Sequence, residues 1–394
     1  MLLEFTVDIA AIKKAITALV EERKTELIAI AEELYRSPET GLKEYKSAAL
    51  LTGLLEREGF VLERGIAGLA TAFRASFGAH GPAIAILAEM DALPEIGHAC
   101  GHNIIAAAAT GAAIALRHAL PEGAARIIVL GTPAEELGIG KCELIKAGYF
   151  QGVDFALMVH PSSKRQVLKM CLGLAKVHFT FFGKPAHAAA YPEEGVNALD
   201  GAILTFNGIN ALRQHLRQDV RIHGIITQGG VAPNIVPEIA ACSFYVRADD
   251  LAAVAEVKMK VIACAQGAAL AAGCRLQVDE DERVLAPLKI NRAFSALYSR
   301  QLAYLGLQES MAPVDKNKGS SDIGNVSQVV PTIHPHVPIG DGIHIHSEGF
   351  ARATVSERGK MAVLEGAAAL ALAAGELAAS PEQRAAIRKE FIST

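Results

Sequence analysis

Apolar positions recur at helical spacing over residues 8–35, at Ile9, Ile12, Ile16, Leu19 and Val20 and again at Leu27, Ile28, Ile30 and Leu34. The pattern predicts a helix broken near Glu22. Arg36-Ser37-Pro38-Glu39-Thr40-Gly41 ends it, and a second helix is expected from Glu44 to Glu58, stopped by Gly59. Short apolar runs then predict strands over 70–77, 83–87, 125–131 and 153–159. Between them, Ile104 to Leu120 is Ala-rich and apolar nearly all round, which predicts a buried helix. Strands alternating with helices predict a mainly parallel α/β sheet with helices on both faces.

The pattern changes after Pro161. Val177, Phe179 and Phe181 alternate within a strand over 174–183, followed by an amphipathic helix from Asn197 to Leu216. Strands over 221–227 and 239–247, a helix from Leu251 to Ala272 and a strand over 274–278 complete the order. Strand-helix-strand-strand-helix-strand is the split βαβ, ferredoxin-like order. It predicts an inserted α+β domain at 172–283 that divides a main domain into 1–171 and 284–394. The insert's outward strand offers an edge to a partner subunit, so a homodimer is expected. The main domain resumes with a helix from Asn291 to Leu305, a long loop region over 310–350, a helix from Thr354 to Ala379 and a charged helix from Pro381 to Ile392.

Composition narrows the class. A chain of 394 residues with 51% hydrophobic residues is long for one core and supports two. Net charge is −4 and the basic residues are scattered, so no nucleic-acid surface is expected. The six cysteines are sparse and unpaired in pattern, which predicts no disulfide framework and a reducing compartment. Met1 to Phe5 lacks a secretory n-region and h-region. Met361 to Leu377 carries Glu365 and Glu376 and reads as too short and interrupted for a membrane span. The expectation is a cytoplasmic protein without a membrane partner.

The chemistry clusters after strands. Gly97-His98-Ala99-Cys100-Gly101-His102-Asn103 follows the run over 83–87, at the edge where open α/β sheets carry their sites. A thiolate and a neutral imidazole, from Cys100 and His102, are ordinary ligands of a zinc-like ion, and His98 is left open between ligand and supporting contact. Gly131-Thr132-Pro133-Ala134-Glu135-Glu136 follows a fully apolar strand, where paired carboxylates are costly without a cation. One glutamate as ligand and its neighbour as base for a metal-activated water is the economical arrangement. His160-Pro161 occupies a third strand end, and Ile343-His344-Ile345-His346-Ser347 lies late in the chain. In the insert, the His187 and Asn234 motifs read equally as turns and Arg247 as a surface charge, while Lys318 to Val326, with Gly319 and Ser320, suits a loop whose backbone a ligand approaches.

These motifs resemble those of the dinuclear metal-dependent aminoacylase/carboxypeptidase-G superfamily of peptidases and amidohydrolases. The likeness is greatest to the branch of indole-acetyl-amino-acid hydrolases, aminobenzoyl-glutamate hydrolases and the β-alanyl-lysine-type dipeptidase. It is carried by Ser37-Pro38-Glu39, Ala88 to Pro94, Gly97 to Asn103, Gly131 to Glu136, His160-Pro161, Gly183 to Ala188, Ala232 to Glu238 and Gly319 to Val326. The resemblance implies two divalent ions, zinc or manganese, held by Cys100, His102, Glu136, His160 and His346. It implies Glu135 as general base and later acid, and Asp91 orienting a ligand from behind. His187 would polarise the scissile carbonyl from the partner subunit, and Asn234 and Arg247 would hold the substrate's carboxylate or oxyanion. The insert would act as lid and dimerisation domain. The implied reaction is hydrolysis of the amide bond of a small N-acyl amino acid or dipeptide. A non-peptide C–N bond, a non-catalytic metal-binding relative and a purely structural metal site stay as alternatives. Many relatives carry Asp where this chain has Glu89 and Asn103, and Leu137 and Ile139 interrupt the glycine run, which suggests an altered pocket. Of the two late histidines, His346 fits the family's His-Ser-Glu-Gly-Phe ending better than His344 does.

Overall fold

In the computed structural model, which describes residues 8–310 and 318–393, the first apolar pattern folds as α1 (Ile9–Glu22) and α2 (Lys24–Arg36), broken at Arg23. There follow α3 (Tyr45–Arg57), β1 (Val61–Arg64), β2 (Phe73–Phe77), β3 (Ala83–Glu89), α4 (His102–Ala119), β4 (Arg126–Thr132), α5 (Gly140–Lys146), β5 (Phe155–Leu157) and β6 (His160–Ser162). The strand expected over 70–77 begins only at Phe73 and pairs with β1, whose half-charged sequence gave no signal. The strand expected over 153–159 is cut short, because the chain turns out at His160 to pair elsewhere.

The insert contains β7 (Gly173–Phe182), α6 (Ala198–Arg213), β8 (Arg221–Gln228), β9 (Ile239–Ala248), α7 (Leu251–Ala272) and β10 (Arg275–Glu280). The chain closes with α8 (Arg292–Tyr304), α9 (Ile323–Val329), β11 (Thr332–Ile333), β12 (His336–Pro338), α10 (Glu348–Ala353), α11 (Glu357–Ala379) and α12 (Pro381–Ser393). The loop expected over 310–350 is therefore corrected. Its described part holds α9, two strands and the start of α10, elements too short to show a period; residues 311–317 lie outside the described residues. The helix expected from Thr354 starts at Glu357, because Thr354 caps α10 instead.

The chain divides into two compact units, Met1–Met170 with Leu288–Thr394, and Cys171–Pro287. The second runs four residues past the expected end at 283, since Leu174 and Leu285 exchange backbone hydrogen bonds of 2.9 Å. In the first unit a six-stranded sheet has the order β1-β2-β4-β3-β5-β11. The β4/β3, β3/β5 and β5/β11 pairs are parallel, and the β1/β2 and β2/β4 pairs at one edge are antiparallel. Every residue of β3 is buried, so both of its faces are covered. A separate parallel pair, β12 with β6, sets His336 beside His160.

Small residues bring the helices close. α4 packs on β3 and β4, with α1, α2 and α11 over it. A methyl group at Gly111 would lie 2.7 Å from Leu27 Cδ1, and one at Gly366 would lie 3.0 Å from Val159 Cγ1. By length and composition α11 could cross a membrane, which corrects the reading of Met361 to Leu377 as too short. Its apolar window is 89% buried inside the protein, so it is a core helix. In the second unit a sheet of order β10-β7-β9-β8, antiparallel throughout, buries Val177, Phe179 and Phe181 under α6 and α7. β8 is an edge strand with Ile225 65% exposed.

Gly101 turns the chain into α4 at φ +83°, and a Cβ there would sit 2.2 Å from Pro161 Cγ. Gly123, at φ +80°, has open space around it. Urea denaturation of metal-free protein should show Gly101→Ala losing roughly 2–4 kcal/mol and Gly123→Ala about 1 kcal/mol. Equal losses would contradict the close approach.

Candidate metal centre

Four loops at the carboxyl ends of β3, β4, β5 and β12 carry the chemistry. The first holds Cys100 and His102, both buried, with His102 already the opening residue of α4 rather than a loop residue. His102 Nδ1 lies 2.9 Å from Asp91 Oδ1 and 2.8 Å from Asp91 O. In the neutral ring, two acceptors on Nδ1 hold the proton there and leave Nε2 as the atom a metal would take. Asp91 also accepts from Glu136 N at 3.1 Å, so one carboxylate braces two neighbouring loops.

The second loop is strained. Ala134 has φ +56°, unusual for a residue with a Cβ. Buried Glu44 stabilises this turn, accepting from Ala134 N at 2.8 Å and from Thr71 Oγ1 at 2.7 Å. Glycine is required at Gly140, where a Cβ would sit 1.9 Å from Pro133 O. The turn projects Glu135 and Glu136 side by side in different surroundings. Burial and the carboxylates of Glu89 and Asp322 push Glu135 well above the ordinary range. Against burial, the adjoining His346 and His102 hold Glu136 below it.

The third segment, after β5, carries His160 at the start of β6; its Nδ1 donates to Pro161 O at 2.7 Å and its Nε2 is 3.5 Å from Cys100 Sγ. The fourth carries His346 at φ +62°, its N donating to Ala99 O at 2.9 Å and its Nε2 3.5 Å from Glu136 Oε1.

Ligand atoms converge in three overlapping sets, each within 4.8 Å: Cys100, His102 and His160; Cys100, Glu136 and His346; and Glu89, His102 and Glu135. Two donors on one tetrahedral zinc ion lie about 3.4–3.6 Å apart, given bonds of about 2.0–2.3 Å. The Cys100–His160 and Glu136–His346 separations fit that edge. His102 Nε2 and Glu89 Oε2 are buried 3.3 Å apart without a hydrogen bond, which a cation between them would satisfy. The residues present therefore suit divalent metal, and all five expected ligands fall within these sets.

Other expected residues lie elsewhere. His98 is buried but outside the sets, its imidazole lowered to about 3 by burial and by His102. His344 is exposed and also outside them, which leaves His346 as the late donor. Asn103 donates to Ala31 O and Thr354 Oγ1 in the helix layer, so it serves packing there and not the pocket. Gly319 and Ser320 lie in the loop ahead of α9, outside the sets. Within the insert, His187 and Asn234 share one end of the sheet: Ala188 N donates to Asn234 O at 3.0 Å. His187 Nδ1 accepts from Ala190 N at 3.2 Å, which leaves Nε2–H as the ring's donor. Arg247 is eight residues along β9 from Ile239, at the other end of that sheet, about 27 Å away at about 3.4 Å per residue. It contacts His223 at 3.2 Å.

Several residues escaped sequence reasoning. Lys141 pairs with both Glu89 and Asp322 in full burial, and Glu44 holds the Ala134 turn. His334 and His336 crowd His160, with His336 stacked on it at 5.2 Å between ring centroids. Burial and His160 keep both rings neutral, His334 at about 3. The pair His334-Pro335-His336 was a visible signal.

Comparison with known proteins agrees with the architecture. Residues 172–272 match the family model described as a peptidase dimerisation domain. A mouse protein named Xaa-Arg dipeptidase is 36% identical, over 98% of this chain and 93% of its own. An Escherichia coli protein, named as one of the subunits of p-aminobenzoyl-glutamate hydrolase, is 34% identical, over 71% of this chain and 62% of its own. A Bacillus subtilis structure described as a dinuclear metal-binding peptidase of the M20 family superposes with TM-score 0.70, at 20% identity, over 90% of this chain and 99% of that one. Fold and donor set together define a metal-dependent hydrolase built from an α/β unit and a ferredoxin-like insert. The chain belongs to the M20 peptidase family.

Burial raises the Cys100 thiol well above its ordinary value. Against burial, neighbouring Cys100 and the carboxylates of Asp91 and Glu89 raise His102 well above its own. The pair therefore holds protons near neutrality that a metal ion must displace. Zinc titration of the metal-free protein at neutral pH, repeated in buffers of different ionisation enthalpy, should show proton release, reduced in Cys100→Ala. Zinc uptake without proton release would contradict this electrostatic picture.

Proposed function

We propose that this chain is a dinuclear metal-dependent dipeptidase and amidohydrolase that cleaves small dipeptides or N-acyl amino acids at the amide C–N bond. The observation that carries the reading is the convergence of Cys100, His102, Glu136, His160 and His346, with Glu135 beside them and its carboxyl raised. These five would hold zinc or manganese, and the ions would supply a polarised water and an electrophilic contact for the carbonyl oxygen.

Glu135 is the general base. It takes one proton from the attacking water as the C–O bond forms, then delivers it to the leaving nitrogen as the C–N bond breaks. A carboxyl raised by burial and by Glu89 and Asp322 serves both directions near neutral pH, while its lowered neighbour stays an anionic donor. Asp91 fixes the His102 tautomer, and Pro161 O does the same for His160. His187 supplies an Nε2–H donor for the carbonyl oxygen as it gains charge. Asn234 and Arg247 are assigned to the substrate's carboxylate or oxyanion. Dipeptides ending in arginine are the first substrates to try, because the mouse relative bears that name over nearly all of its length.

The protein works as a homodimer through the insert. The match to a peptidase dimerisation domain and the exposed β8 edge support this, as does the placing of His187 and Arg247 at opposite ends of one sheet. Antiparallel pairing of two such edges sets one end of an insert beside the opposite end of its partner. Six free cysteines support a reducing, cytoplasmic setting.

Glu135→Gln should keep metal content and lower kcat about 10²- to 10⁴-fold on the best substrate of a panel of Xaa-Arg dipeptides, N-acetyl amino acids and aminobenzoyl-glutamate. Unchanged turnover would remove Glu135 from its role. Dimers mixed from Glu135→Gln and His187→Ala protomers, each inactive alone, should recover one working site per dimer. No recovery, with mixed dimers demonstrated, would place His187 in its own chain's site or outside catalysis.

A further inference from the structure

Glu89 ends β3, and its two oxygens have different surroundings. Oε1 accepts from Lys141 Nζ at 2.6 Å. Oε2 is buried, has no hydrogen bond, and lies 3.3 Å from His102 Nε2. Lys141 Nζ also lies 2.5 Å from Asp322 Oδ1, and Lys141 N donates to Asp322 Oδ2 at 2.9 Å. All three side chains are fully buried.

A purely structural ion network explains Lys141 and Asp322, for each polar atom there has a partner. It does not explain Glu89 Oε2. A buried carboxylate that only neutralised Lys141 would find hydrogen-bond donors for both oxygens. Here the bare oxygen faces the bare ring nitrogen of His102, whose Nδ1 is committed to Asp91. Two lone pairs this close repel unless positive charge lies between them: a second proton on the ring in the metal-free protein, or the divalent ion that displaces it and takes both atoms as donors. Their 3.3 Å separation is close to the edge of about 3.4 Å spanned by a nitrogen and an oxygen on one tetrahedral ion.

We propose that Glu89 is a further metal donor on the His102 side of the centre, and that Lys141, clamped by Asp322, positions it. The clamp joins three separate segments: the end of β3, the first turn of α5 and the residue preceding α9. It also gives the Lys318 to Val326 motif a task the sequence did not disclose. Asp322 holds the ammonium that fixes which way the Glu89 carboxylate turns. The proposal rests on the dinuclear reading above.

The test is zinc binding by the full-length protein, stripped with chelator and titrated with zinc chloride in a calorimeter, with metal content counted after dialysis. Glu89→Gln keeps side-chain size and a carbonyl oxygen for Lys141. It should retain one ion and weaken the other roughly 10- to 100-fold or more. Both ions bound with wild-type affinity would overturn the proposal. Should that variant fail to fold, zinc-loaded crystals of the wild type decide: Glu89 Oε2 is expected at bonding distance, about 2.0–2.2 Å from an ion. An ion bound by His102 with Glu89 Oε2 beyond reach would overturn it. A wild type that takes up no zinc fails the dinuclear reading instead, so the two failures are distinct.

Discussion

Buried negative charge at the carboxyl ends of the parallel strands is the constraint on which this molecule depends. Glu89, Asp91, Glu135, Glu136 and Asp322 crowd one another there, with the Cys100 thiol among them. Lys141 compensates part of that charge, and burial makes the remainder unfavourable unless divalent ions share the space. The local backbone is built around the same requirement. Ala134, next to Glu135, and His346 itself hold positive φ, and each donates its backbone N–H to a distant acceptor, Glu44 in one case and Ala99 O in the other. Strain kept at these two points, amid regular structure, is what a site needs when its side chains must converge from distant segments.

The scaffold makes such convergence possible. β3 and β4 run parallel and in register, Glu89 opposite Thr132, so the loops that follow them start side by side. Behind them α4 and α11 touch through alanine and glycine, which lets the helix layer sit close and hold His102 at a fixed point on the first turn of α4. The small residues serve geometry as much as hydrophobic burial. A bulkier face would push α4 outward and carry His102 away from Asp91.

Much of this was legible in the sequence, for a physical reason. Cys100, His102, Glu135, Glu136 and His160 each follow an apolar run, and parallel strands place such ends along one edge. The insert was legible because its alternation and helix spacing are regular. What escaped was pairing across long separations. Lys141 meets Glu89 over 52 residues and Asp322 over 181, and nothing local marks a lysine in an ordinary helix start as buried. Asn103 misled for the opposite reason: it sits within the motif yet bonds to Ala31 O and Thr354 in the helix layer. The short elements between 318 and 350 gave no period to read, and the single-chain sequence did not disclose that Arg247 lies far along β9 from His187 and Asn234.

The central claim is that a thiolate from Cys100 and the surrounding imidazoles and carboxylates hold metal together. Zinc-edge X-ray absorption on the reconstituted protein addresses it most directly. A sulfur scatterer is expected at about 2.3 Å alongside nitrogen and oxygen at about 2.0–2.2 Å, with the sulfur shell lost in Cys100→Ser. A shell of nitrogen and oxygen alone, unaltered by that substitution, would contradict it.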